Sequence, residues 1–308
     1  MLDVRKLELF ARVVGAGSFT AAANQLYLTQ SAVSQQIGEL EAGLGVKLFE
    51  RGRRGVVLTA AGETLYTYTQ RILQLVAEAE NAVTDVTHLQ AGQVRIGATP
   101  GASVYLLPQM MQSFRERYPR LTVALQTGTT PQVLAALQAG QIDVGLIEGE
   151  IEERWQALVE VRALDDVEQF VVVGSRHAWW GRHSVALSEL AGQPLIVRQQ
   201  SSQTRAWLDH VLQEHGIIPT ISAEFDNVES IKRAVAAGLC ATILPHYVTA
   251  QEEALGWLRS IPVEGNPLRR VLKLVWDKAA PLSPIARALL SHEFSTSGLP
   301  GSPADRSL

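Results

Sequence analysis

The chain has 308 residues, of which 46% are apolar and 19% charged, and its formal net charge is −4. This is the composition of a globular chain with room for two domains or slightly more. It excludes a uniformly basic nucleic-acid binder and a disordered polyelectrolyte. No apolar run approaches the roughly 18 residues of a membrane span, so no membrane partner is expected. Met1–Phe10 scatters Asp3, Arg5, Lys6 and Glu8 among its apolar residues, unlike the continuous apolar core of a signal peptide. Cys240, the single cysteine, excludes an intramolecular disulfide and fits a cytoplasmic location.

Charge is uneven along the chain. Residues 1–58 carry seven Lys/Arg against five Asp/Glu, and Arg51, Arg53 and Arg54 crowd together. Local Lys/Arg density, rather than total charge, governs phosphate binding. Leu7, Phe10, Ala11 and Val14 have helical spacing and stop at Gly15–Gly17. Ser18 caps a second helix, from Thr20 to about Leu26, and Thr29 caps a third, from Gln30 to about Ala42, which Gly43 and Gly45 end. Leu48–Phe49 and Val56–Leu58 flank a turn at Arg51–Gly55, the pattern of a two-stranded wing.

Residues 59–90 read as one long helix. Leu65, Ile72, Ala79 and Val86 repeat every seven residues, as do Tyr68, Leu75, Ala82 and Leu89 in the complementary register. Such a seam, with no second long helix nearby to cover it, predicts dimerisation; an amphipathic helix lying on a globular body is the alternative. Beyond a hinge at Gln90–Gly92, strand and helix alternate. The strands are Val94–Ala98, Leu121–Gln126 and Val144–Ile147, and the helices are Leu106–Tyr118 and Gln132–Ala139, which implies a parallel sheet covered on both faces. Further strands are expected at Gln169–Val173, Leu195–Val197, Ile221–Phe225, Ala241–Leu244 and Val271–Val275. Further helices are expected at Arg205–His215, Val228–Ala237 and Pro284–Phe294. The Ser-, Gly- and Pro-rich tail, 295–308, has the composition of a disordered segment.

Several stretches match a known pattern: Leu7-Glu8-Leu9-Phe10, Gly17-Ser18-Phe19-Thr20-Ala21-Ala22-Ala23, Thr29-Gln30-Ser31-Ala32-Val33-Ser34-Gln35-Gln36-Ile37, Leu44 through Arg51, and Leu58-Thr59-Ala60-Ala61-Gly62. Together they cover nearly all of residues 5–64, and the segment resembles the LysR-type transcriptional regulators. The resemblance runs on more loosely through residues 93–290, where the chain is most similar to the branch of carbon-fixation and sulfur-assimilation regulators. It implies an N-terminal all-α winged helix-turn-helix (1–58), a linker helix and hinge (59–92), and an effector domain of the type 2 periplasmic-binding-protein α/β fold (93–294). Subdomain I of that domain would comprise 93–166 and 267–294, and subdomain II 167–266.

The implied function is regulation of transcription rather than enzymatic catalysis, with no cofactor and no metal. The implied partners are double-stranded DNA at an inverted repeat, a small-molecule effector, a second copy of the chain as dimer or tetramer, and RNA polymerase. A recognition helix would use Thr29, Gln30, Ser31, Ser34, Gln35 and Gln36 in the major groove, with Arg51, Arg53 and Arg54 on the backbone or in the minor groove. Gln35 departs from the family, where Arg or Lys is common, which shifts charge contacts towards the wing.

Ligands of such folds lie at the carboxyl ends of strands, where helix N-termini converge. Three loops fit: Thr99-Pro100-Gly101-Ala102-Ser103, Gly128-Thr129-Thr130, and Gln200-Ser201-Ser202 running into Thr204. Glu148 and Asn227 complete the polar candidates, and Arg198 and Arg205 favour an anion. Plain helix capping is the simpler account of any single loop. Two rival functions remain. Gly15-Ala16-Gly17 lacks the third glycine of a dinucleotide loop, against an NAD-dependent enzyme. A solute-binding protein without DNA function suits the second half but leaves the first 90 residues unexplained. His210, Glu214 and His215 match no metalloprotease spacing.

Overall fold

A computed structural model describes residues 2–52, 55–84, 92–238, 240–280 and 282–294. The chain divides into two compact units, Met1–His88 with Gln138–Gln141, and Leu89–Leu137 with Ile142–Leu308.

In the first unit α1 (Val4–Ala16), α2 (Phe19–Leu26) and α3 (Gln30–Leu44) precede the hairpin β1 (Phe49–Gly52) and β2 (Gly55–Leu58) and the long helix α4 (Ala60–Thr84). Asp3, Ser18 and Thr29 cap the first three helices, each accepting a backbone N–H three residues on, which satisfies amides with no partner inside the helix. α1 runs past Gly15 and stops at Gly17, whose φ of 67° reverses the chain. α3 likewise passes Gly43 and stops at Gly45. Leu9, Phe10, Val13, Ala22, Ala23, Val33, Ile37, Leu40 and Leu48 form one buried cluster, which sets the angle between α2 and α3. Phe49 packs on Phe10 and Phe19 at ring distances of 5.3 and 5.5 Å.

α4 is 25 residues long, about 38 Å at 1.5 Å per residue. Leu65, assigned above to the seam, packs with Tyr66 against the helix-turn-helix core. The first turns of α4 are needed to close that core. Further along, Tyr68 and Leu75 are 58% and 57% exposed. Ile72 is half-buried, Ala79 is exposed, and Ala82 lies on the same helix. Val86 and Leu89 fall outside the described residues.

The second unit carries a sheet in the order β10-β6-β11-β5-β3-β4, with β9 also paired to β6. β3 (Gly92–Ala98), β4 (Leu121–Thr127) and β5 (Val144–Glu148) are parallel. A π-helical turn (Ala102–Leu106) and α5 (Leu107–Arg117) join the first two, and α6 (Thr130–Gln138) joins β4 to β5. Asp143 accepts from the backbone and guanidinium of Arg95 at 2.6 and 2.9 Å, fixing the entry to β5. After α7 (Glu153–Gln156) the chain forms one long strand, β6 (Val159–Gly174).

β7 (Pro194–Arg198), α8 (Gln203–Glu214), β8 (Thr220–Phe225), α9 (Val228–Ala237), β9 (Thr242–Pro245), α10 (His246–Ala254) and β10 (Leu258–Ile261) follow. The chain returns through β11 (Leu268–Asp277) to α11 (Pro284–Glu293), which packs with α5 on β3. β6 pairs with β11 over Val159–Gln169 and with β9 and β10 over Gln169–Gly174. The antiparallel strands β6 and β11 are therefore the two passages between a half built on β3–β5 and a half built on β7–β10. Each half has its own core, around Phe114 and Leu146 in the first and around Val171, Trp179 and Leu195 in the second.

Glu41 ties the wing to α3. Its carboxylate accepts from Leu48 N at 2.9 Å, Phe49 N at 3.4 Å and Lys47 Nζ at 2.6 Å. Burial pushes its pKa up, but the ammonium and the two amides outweigh burial and hold it below the ordinary carboxylate value. A depressed folded pKa stabilises the fold above the unfolded pKa, and the contribution is lost as pH falls through the folded pKa. Glu41→Gln is expected to cost about 1–3 kcal/mol at neutral pH and to speed amide exchange at Leu48. The difference from wild type in thermal denaturation should shrink in acid.

Candidate functional site

The first candidate surface is the N-terminal half of α3. Thr29, Gln30, Ser31, Gln35 and Gln36 are exposed and Ser34 is half-buried. Val33 and Ile37 face the opposite way, into the core, so the polar side chains share an outward face. The Thr29 hydroxyl accepts from Ala32 N and lies 3.0 Å from Ser31 Oγ. Gln35 Nε2 donates to Glu39 at 3.4 Å, and Glu39 also pairs with Lys6. Arg51 lies on β1, while Arg53 and Arg54 fall outside the described residues. Tyr27, between α2 and α3, holds a φ of 56° and is 97% exposed.

The second is a cleft in the larger unit, open to solvent at its mouth. Of the predicted residues it brings together Thr99, Pro100, Gly101, Thr129, Thr130, Glu148, Arg198, Ser202 and Thr204. They come from the ends of β3, β4, β5 and β7 and the helix starts that follow. The remaining predicted residues do not line it. Ala102 is buried in the core below, and Ser103 is buried with its hydroxyl 2.5 Å from that of Thr127. Gly128 lies just off the wall, and Gln200 and Ser201 are exposed. Arg205 is taken up by Asp209, Glu224 and the Arg198 carbonyl. Asn227 is spent capping α9.

The walls also contain residues that the sequence reading missed, chiefly Gln169, Tyr247 and Arg270. Arg270 Nη1 donates to Glu148 Oε1 at 2.8 Å and to Thr204 Oγ1 at 2.9 Å, and its Nη2 donates to the Glu148 carbonyl at 2.8 Å. Gln169 Nε2 and the Tyr247 hydroxyl donate to the same carboxylate at 3.1 and 2.6 Å. Burial, then the Glu148 charge, push the Tyr247 pKa well up, so its phenol stays protonated. Glu148, expected among the polar candidates for the ligand, is engaged by protein side chains. Gly149 has a φ of 97°, and a Cβ there would run into the Arg270 guanidinium, so glycine is required both for the turn and for the approach.

Arg198 differs from Arg270. It is 8% exposed, and its Nη1 is buried with no hydrogen-bond partner. Burial pushes its pKa down, offset only in part by Asp226. Next to it α8 begins at Ser202, which makes no side-chain cap bond. By contrast Thr129 N, at the start of α6, is already answered by Gln132. A cation short of partners beside an uncapped helix start is the chemistry of an anion subsite.

A second polar cluster lies outside the cleft lining. The Tyr105 hydroxyl, from the π-helical turn, donates to Glu229 on α9. Lys232, 3% exposed, bonds Glu252 at 2.7 Å and the Val248 carbonyl at 3.1 Å, pairs with Glu229 at 2.8 Å, and lies 4.6 Å from the Tyr105 ring centre. The contacts of Tyr105 with Glu229 and Lys232 join the two halves of the unit.

Comparison with known proteins gives two family matches. Residues 4–63 match the model described as the bacterial regulatory helix-turn-helix protein, lysR family, and residues 87–292 match the LysR substrate binding domain. A probable RuBisCO transcriptional regulator of Porphyra purpurea is 33% identical over 273 residues, covering 88% of this chain and 86% of its own. Full-length CbnR solved with its target DNA aligns with a TM-score of 0.72 at 23% identity, over 96% of this chain and 100% of that one. The regulatory domain of CcmR from Synechocystis PCC6803, solved with 2-PG, aligns with a TM-score of 0.61 at 20% identity, over 67% of this chain and 97% of that one. Among the described residues, no helix is long and apolar enough to cross a membrane.

The Glu148–Arg270 pair sets an expectation for stability. Removing one partner of a buried pair leaves the other uncompensated, at about 3–5 kcal/mol. Glu148→Gln and Arg270→Met should each lower the melting temperature of the full chain strongly. The double variant should lose less than the sum, with a coupling of about 1–3 kcal/mol in a thermodynamic cycle.

Proposed function

The chain belongs to the LysR family of transcriptional regulators, a helix-turn-helix joined to an effector-binding domain, and from that premise we propose how its parts divide the work. Residues 1–58 bind an inverted-repeat operator, 59–92 form the linker and dimerisation helix, and 93–294 sense a small anionic metabolite. α3 enters the major groove, with Gln30, Ser31, Ser34 and Gln35 towards base edges and Arg51, Arg53 and Arg54 on phosphates. Because Gln35 is neutral and tied to Glu39, the wing supplies most of the charge contacts. The exposed Tyr68 and Leu75 on α4 favour pairing with a second copy, which places one head on each half-site. A dimer or tetramer working in the cytoplasm beside RNA polymerase completes the reading.

The observation that carries the sensor assignment is the unpartnered Arg198 Nη1 on the cleft wall beside the uncapped start of α8. An anion there answers a buried donor that otherwise goes unbonded. Bound across the cleft, it biases how the two halves sit about β6 and β11, but only to the extent that it binds one arrangement better than the other.

Two measurements test the halves separately. Ser34→Ala should weaken binding to an operator selected from genomic fragments by about tenfold, the scale of one base contact, with non-specific DNA binding little changed. Equal loss on both DNAs would remove Ser34 from base readout. In calorimetry with small carboxylates and phosphate esters, 2-PG among them, at least one should bind, and Arg198→Met should weaken it tenfold or more. Binding indifferent to Arg198 would dismiss the anion site.

A further inference from the structure

Gln169 is 1% exposed and lines the cleft. Its Nε2 donates to Glu148 Oε1 and to the Val167 carbonyl, at 3.1 and 3.3 Å. Two acceptors at one end of the amide fix which end is nitrogen. The other end, Oε1, is therefore a true acceptor, and it is buried with no partner. Two donors on the same lining, Arg198 Nη1 and Arg270 Nε, are in the same condition, and of the two guanidinium groups only that of Arg270 is paired with a buried carboxylate.

The other polar groups around the cleft are less selective. Threonine hydroxyls donate or accept as needed. The Tyr247 hydroxyl already donates to Glu148, and the Thr204 hydroxyl already accepts from Arg270. Gln169 Oε1 can only accept. The oxygens of a carboxylate or phosphate dianion can only accept as well, so a bare anion leaves Oε1 unanswered and repels it. An ammonium is disfavoured, because Glu148 is already paired with Arg270 and a third cation would sit beside two arginines. None of these orphan atoms is open to solvent in this arrangement, so a ligand meets them as the walls part, and the bonds it can replace together are those of Arg198 and Gln169.

Resting on the reading of this cleft as an anion site, we propose that its effector is a hydroxylated anion. The acidic group, a carboxylate or phosphate ester, bonds Arg198, and a separate hydroxyl on the same molecule donates to Gln169 Oε1.

The test is calorimetry on the full-length protein with matched probes: glycerol 3-phosphate, propyl phosphate and 3-aminopropyl phosphate, then glycerate, propionate and β-alanine. The hydroxylated member of a series should bind at least tenfold tighter than its deoxy and amino partners. Gln169→Met should close that gap. The preference in the wild-type protein stands as a measurement even if that variant folds poorly. Equal binding of hydroxylated and deoxy probes, both lost in Arg198→Met, would overturn the proposal and leave the anion site intact. A preference that survives in folded Gln169→Met would overturn it too. Binding to none of the probes, or binding untouched by Arg198→Met, would remove the anion site and this inference with it.

Discussion

The sensor half of the chain is organised around one buried charge pair, Glu148 with Arg270. Taking both groups out of water is costly, and the pair is tolerable because its lone pairs and N–H groups are answered by the fold, all but the Arg270 Nε–H. Here the answers come from far apart in sequence: Gln169 on β6, Tyr247 on α10 and Thr204 on α8. The strand register makes this geometry available, since β11 runs antiparallel to β5 with Leu272 opposite Glu148. The backbone of Gly149 then yields the space that the guanidinium occupies. Satisfying one carboxylate thus fixes the carboxyl end of β5 against three elements of the other half of the domain, and the cleft takes its shape from that constraint.

Much of the first unit was legible because its signals are local. An N-cap is a Ser, Thr or Asp three residues before the amide it accepts from, and Ser18 and Thr29 are used in that way. The apolar spacing that begins at Leu7 and Phe10 marks the buried face of α1, although its third fully buried residue is Val13 rather than Ala11 or Val14. Where the reading slipped, a glycine was given too much authority: Gly15 and Gly43 sit inside helices because burial of the neighbouring turns outweighs a cost of about 1 kcal/mol. The heptad at Leu65 gave no sign of a second role. A helix face that repeats every seven residues can serve two cores in succession, and the first turns of α4 close the helix-turn-helix.

In the second unit the strand ends were legible and their partners across the cleft were not. Thr99, Thr129, Glu148, Arg198 and Ser202 each follow an apolar strand, and all line the cleft. Arg270 sits in a strand beginning Leu268-Arg269-Arg270, where its burial depends on which neighbour β11 pairs with. Residues 159–168 hid the first ten residues of β6, since Glu160, Arg162, Asp165, Asp166 and Glu168 break any apolar run. That charge is natural for a passage between two halves, where a strand is covered less completely than in a sheet centre. Tyr247 was missed because α10 follows directly on Pro245 and begins with few apolar residues, leaving the helix without a periodic signal.

The two buried arginines of the cleft stand in opposite electrostatic conditions, and the proposed ligand response rests on that difference. Arg270 is compensated by a carboxylate of the chain itself, so an added anion gains little from it and would have to compete with Glu148. Arg198 is desolvated without equivalent repayment, as the downward push on its pKa records. Burial makes a charge interaction stronger than it is in water, so a partner for Arg198 is worth most when the walls are closed around it. On the proposed reading, a free anion would meet an opened cleft first and then stabilise the closed one by supplying the charge that the closed state lacks. Differential affinity between two arrangements is what a ligand needs in order to shift an equilibrium. In this domain it would arise from one guanidinium that the fold buries and leaves unanswered.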